Sequence, residues 1–149
     1  MVSLEDLIGT WKIESCEARY LDGRIGPHPV GEGARGYILY NPDGYMSLEI
    51  MAERRLPFNE QDPFAATEEE YLSAYRSHLS YSGTFAIRGE EIIHAIEVSS
   101  YPNFIGECIN RHVRIEEDRQ YQTTQPFFIH GESQTIHFEL IRVNVCARV

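Results

Sequence analysis

Positive charge, cysteine and long apolar runs are all scarce in this chain. Thirteen Lys and Arg stand against 23 Asp and Glu, a net charge of −10 at pH 7. Nucleic acid and anionic membrane surfaces both select clustered basic side chains, so neither is expected as a partner. Three cysteines, Cys16, Cys108 and Cys146, are an odd number at no metal-ligand spacing. They fit reduced thiols in a cytoplasmic protein better than a disulfide scaffold or a zinc site. No stretch approaches the roughly 18 apolar residues of a membrane span. Met1 to Ile8 lacks the basic region, apolar core and small-residue cleavage site of a secretory signal. Gly-x-Ser-x-Gly, phosphate-loop and dinucleotide-binding motifs are missing too, so no metal and no cofactor is expected.

What remains is an ordinary globular composition, 42% apolar and 24% charged over 149 residues, which fits one domain spanning 1–149. Period-2 alternation bounded by turn residues marks eight strands, at about 10–19, 37–40, 45–51, 84–88, 91–99, 106–116, 119–124 and 134–145. Asn41-Pro42-Asp43-Gly44 supplies a tight turn between the second and third. Ser3 with Asp6 caps a short helical turn at 3–8. Thr67 with Glu70 forms a capping box for a helix over 68–80, whose Tyr71, Tyr75 and Leu79 make a one-sided stripe. That stripe is expected to lie over a barrel mouth as a lid. Left exposed, it would mark a homodimer interface.

Many short antiparallel strands, none with edge protection, argue for closure into a barrel. The lone Trp11 opens the first strand, and Arg142 shares the inward face of Ile136, Phe138 and Leu140 in the last. A guanidinium stacked on that indole would make the first and last strands neighbours.

Gly9-Thr10-Trp11 and the late Arg142 resemble the lipocalin and calycin pattern. Ala34-Arg35-Gly36, Tyr40-Asn41-Pro42-Asp43-Gly44-Tyr45-Met46-Ser47, Thr67-x-Glu69-Glu70-Tyr71, Tyr81-x-Gly83-Thr84-Phe85 and Pro102-Asn103-Phe104-x-Gly106 extend the likeness over nearly the whole chain. They resemble the intracellular lipocalin-like domain proteins of bacteria and fungi. The resemblance implies a closed eight-stranded antiparallel barrel around a ligand cavity; the lid-type helix read from the capping box falls between its third and fourth strands. It does not imply an activity, because calycins include carriers and enzymes.

Chemistry is expected where polar groups share an inward face with apolar ones. Ile92, His94, Ile96 and Val98 form one such face, and Glu107, Ile109, Arg111, Val113 and Ile115 the other. Pairing the two strands so that residue numbers sum to 205 sets His94 against Arg111, with Val98 against Glu107. Arg111 would anchor a carbonyl or carboxylate and His94 would move a proton, with Glu107 close by. The competing reading pairs Arg111 with Glu107 as an internal ion pair and His94 with a Tyr hydroxyl. Tyr71, Tyr75, Phe104, Ile96, Ile109 and Met46 are expected to contact the ligand, a small hydrophobic or aromatic molecule. The functional expectation is a cofactor-free isomerase, cyclase or lyase of secondary or degradative metabolism; the alternative is a non-catalytic intracellular carrier.

Overall fold

The structure, a computed structural model, describes residues 1–144. Cys146 and Val145, the end of the expected last strand, lie outside the described residues. Ten strands form one antiparallel sheet: β1 (Gly9–Tyr20), β2 (Ile25–Pro27), β3 (Arg35–Tyr40), β4 (Tyr45–Met51), β5 (His78–Arg88), β6 (Glu91–Ser99), β7 (Cys108–Glu116), β8 (Arg119–Thr124), β9 (Phe127–Ile129) and β10 (Glu132–Arg142). β1 bonds both β3 and β10, so the eight longer strands close into a barrel. The three-residue strands β2 and β9 add to β1 and β10 at the rim. They were not expected from the sequence. Helix α1 (Leu4–Leu7) precedes β1, and α2 (Glu68–Arg76) lies between β4 and β5.

One end of the barrel is locked. Trp11 pairs with Arg142 across β1 and β10, and the guanidinium carbon lies 4.3 Å from the centre of the Trp11 ring. The indole N–H donates to Leu7 O at 2.8 Å, tying α1 beneath the barrel. Arg142 in turn donates to Ile8 O and Asp6 O at 2.7 and 2.6 Å. This clasp accounts for Gly9 in the Gly-x-Trp motif. Its φ is +134°, and a Cβ there would lie 2.8 Å from Arg142 Nη1. The turns β3–β4, β5–β6 and β7–β8 gather at this same end; Arg142 N donates to Asp118 O in the last of them.

Two expectations about the walls need correction. The helix stops at Arg76, with Ser77 N–H bonded to Ser73 O, and β5 begins at His78 rather than Thr84. Leu79 is therefore a strand residue, opposite Ile50 of β4, and it continues the helical stripe only by coincidence of spacing. The β6–β7 register sums to 203 instead of 205, so His94 faces Ile109 and Ile92 faces Arg111. A two-residue slip leaves Ile92, His94, Ile96, Ile109, Arg111 and Val113 inward as expected, but Val98 and Glu107, also expected inward, are exposed because the β6–β7 ladder ends at Ala95 and Cys108. It arises because a 3-10 turn at Pro102–Phe104 and Gly106 take up more of the loop.

Candidate ligand-binding site

A cavity of about 970 Å³ opens at the end opposite the clasp. Its rim comes from α2, the loop following β2, the 3-10 turn and β9, and its walls include Ile109, Ile136 and Phe138. The volume lies at the upper end of the usual range for small-molecule sites. At its floor five side chains from five strands close a hydrogen-bonded ring. Tyr40 Oη lies 2.8 Å from His94 Nε2, and Tyr81 Oη lies 2.7 Å from His94 Nδ1. Arg111 donates through Nη2 to Tyr81 Oη and through Nη1 to Gln122 Oε1, each at 3.2 Å. Gln122 Nε2 donates to Tyr40 Oη at 2.9 Å and also to Gln120 Oε1.

The direction of every bond follows from Arg111, which can only donate. Gln122 must turn its carbonyl to Arg111 and its amide N–H groups to Tyr40 and Gln120. Tyr40 Oη thus accepts from Gln122, and its own proton has one acceptor in reach, His94 Nε2. His94 then carries its proton on Nδ1 and donates it to Tyr81 Oη. Tyr81 already accepts from Arg111, so its O–H proton is left for the cavity, whose surface Tyr81 forms in part. The opposite tautomer would strand the proton of fully buried Tyr40, at a cost of about 1–3 kcal/mol. Burial, and then the Arg111 charge, hold the His94 pKa well below its usual value, so the ring stays neutral. Burial likewise raises the Tyr40 and Tyr81 phenols, which remain protonated.

His94 and Arg111 are therefore brought together through Tyr81, with Arg111 forming part of the cavity floor and His94 beneath it. Glu107 is not brought to them. It is exposed in the turn just before β7, its backbone used through Glu107 N–H to Phe104 O and Ile96 N–H to Glu107 O. Arg111 thus has no internal ion pair with Glu107. Among the expected contact residues, Tyr75, Phe104 and Ile109 line the cavity. Ile96 and Met46 do not; both are buried in the apolar core. Tyr71 turns away as well: its hydroxyl accepts from Ala66 N–H and its ring meets Phe58 edge-on. The side of α2 toward the opening is instead Glu69, Leu72, Ser73 and Arg76, so the helix borders the mouth.

Sequence reasoning missed His28. It is buried in the loop after β2, Nδ1 accepts from Val30 N–H at 3.0 Å, and the ring packs near Phe138. Burial, with Arg111 nearby, lowers its pKa to about 4. Neutral at pH 7 with Nδ1 occupied, His28 carries its proton on Nε2, a donor at the cavity wall. Among the described residues no group of three His, Cys, Asp or Glu is placed to hold a metal ion.

Residues 8–141 match the model of the lipocalin-like domain. The chain belongs to that family. A relative by sequence is the 4'-hydroxy-3'-methoxypropiophenone carrier protein ppsC of Aspergillus oryzae, 34% identical over an alignment of 98 residues, with 60% of this chain and 88% of that protein covered. Two solved structures also align with this lipocalin-like chain. One is a lipocalin-like protein from Bacteroides uniformis, at 12% identity and a TM-score of 0.47, covering 93% of this chain and 99% of that one. The other is an uncharacterized protein from Bacteroides eggerthii, at 11% identity and a TM-score of 0.46, covering 92% and 99%.

Proposed function

We propose that the barrel carries a small, largely apolar, aromatic molecule whose carbonyl or acid oxygen docks on the cavity floor. The observation that carries this reading is the polarity of the floor. Arg111 Nε is buried without a partner among the described residues, and Tyr81 O–H and the His28 Nε2–H are further donors on the same cavity. Phe104, Phe127, Phe138 and Tyr101 supply aromatic walls. A ligand built of acceptor oxygens on an apolar frame satisfies both. The A. oryzae relative supports the class, since its name specifies an aryl ketone as cargo.

An isomerase, cyclase or lyase acting by proton transfer would also need a group that takes a proton from the ligand. Glu107 is exposed, His94 has both nitrogens engaged and lies behind Tyr81, and the free nitrogen of His28 already holds a proton. The arrangement favours holding over transforming. Calorimetry with 4'-hydroxy-3'-methoxypropiophenone, followed by extraction and chromatography, tests it. Expected are one binding site, recovery of the ketone unchanged, and loss of binding on filling the cavity with Ile136→Trp. Turnover of the ketone would restore the isomerase, cyclase and lyase reading. Binding that ignores the Trp substitution would place the ligand elsewhere and refute the site.

A further inference from the structure

Arg111 is a buried cation with no counterion among the described residues. It is 5% exposed, and its guanidinium carbon lies 4.6 Å from the centre of the Phe138 ring. The groups around it are Ile92 and His94 from β6, Gln122 and Thr124 from β8, Tyr81 from β5, Tyr40 from β3, Cys16 from β1 and His28 from the loop. None is acidic. Burial pushes the Cys16 thiol up to about 12, so it adds no negative charge at neutral pH. The ionisable members of the rim, Glu69, Tyr75, Arg76, Tyr101 and His130, are exposed to water, and His78 is paired with Glu49. A buried charge left unpaired is costly, and two neutral hydrogen-bond acceptors, Gln122 Oε1 and Tyr81 Oη, do not replace an anion.

We infer that the cavity takes its ligand as the conjugate base. A weakly acidic O–H, in a phenol, an enolisable 1,3-dicarbonyl or a carboxylic acid, loses its proton to solvent on binding. The O–H electron pair stays on oxygen, and the resulting oxyanion is the counter-charge of Arg111. Tyr81 O–H and the His28 Nε2–H donate to that same oxyanion, whereas a neutral hydroxyl would turn its own proton against a set of donors. This rests on the proposal that the cavity is the ligand site, and it adds the charge state of what binds there.

The test uses 4-nitrophenol, whose phenol and phenolate absorb at different wavelengths, and its methyl ether 4-nitroanisole, which cannot ionise. The whole protein, in excess over the probe, is titrated with acid. The bound probe should ionise at least about one pH unit below the free probe, a tenfold preference for phenolate. Arg111→Gln should abolish the shift, and Arg111→Lys should retain part of it. A bound midpoint equal to or above the free one overturns the inference. If 4-nitroanisole binds and the 4-nitrophenol midpoint stays put, the cavity remains the ligand site and only the charge state is wrong. If neither probe binds, the site itself fails and this inference with it. Should Arg111→Gln not fold by circular dichroism, the wild-type midpoint and Arg111→Lys decide.

Discussion

Tyr40→Phe removes a single oxygen from the floor of the cavity, and the structure sets what that costs. Tyr40 is fully buried, and its hydroxyl bridges His94 Nε2 and Gln122 Nε2. Without it the His94 lone pair has no donor. Gln122 loses one of two N–H partners, the other being Gln120. Each buried polar group left unpaired costs about 1–3 kcal/mol, so Tyr40→Phe should destabilise the barrel by about 2–4 kcal/mol. Urea unfolding would show this as a lower midpoint at unchanged slope. The double variant with His94→Leu should recover part of the loss, with a coupling of about 1–3 kcal/mol, because the leucine no longer asks for a donor. Nitrogen-15 spectra of His94 should show Nδ1 protonated and Nε2 bare. Additive energies within about 0.5 kcal/mol would refute the ring as a unit. The opposite tautomer would refute its direction, and with it the free Tyr81 proton.

The clasp and the buried loop histidine give two further tests. Trp11→Ala should cost about 3–5 kcal/mol by chemical denaturation as a large buried truncation. A loss under about 1 kcal/mol would mean that the closed end is held by backbone pairing alone. His28 has its native pKa lowered to about 4 against an ordinary 6.5, so between those values the unfolded chain holds more protons than the native one. Its contribution is complete above pH 6.5 and is lost as pH falls to 4, about 3 kcal/mol in all. His28→Phe should flatten that part of the stability–pH curve; an unchanged slope would refute the assignment.

The inward faces were legible because alternation of period 2 fixes them directly, and His94 and Arg111 both point where that pattern sends them. Their register was not, since a slip of two residues leaves the pattern untouched and only the geometry of the turn decides it. Glu107 and Val98 continue the inward alternation in the sequence, but the strand pairing stops short of both and their side chains are exposed. Tyr40 and Tyr81 pass for core residues in a sequence, because nothing local distinguishes a phenol that packs from one that also bonds a distant His. The β8 strand, Arg-Gln-Tyr-Gln-Thr-Thr, is polar on both faces, so Gln120 and Gln122 gave no sign of burial. His28 sat between two prolines in a loop whose path depends on β2, a strand too short to be seen by alternation.

The closing seam also bears on how the chain reaches its shape. Arg142 grips Ile8 across 134 positions of sequence, and every bond between β1 and β10 is of comparable span. The hairpins β3–β4, β5–β6 and β7–β8 can form locally, but they amount to a curled ribbon until that seam zips. Until then two raw edges are open to a neighbouring chain, and water has access to the guanidinium and imidazole that the finished wall encloses. Contacts of such long reach place the chain among slow folders, on the millisecond-to-second scale. Formation of that pairing therefore creates the closed wall and the dry interior together.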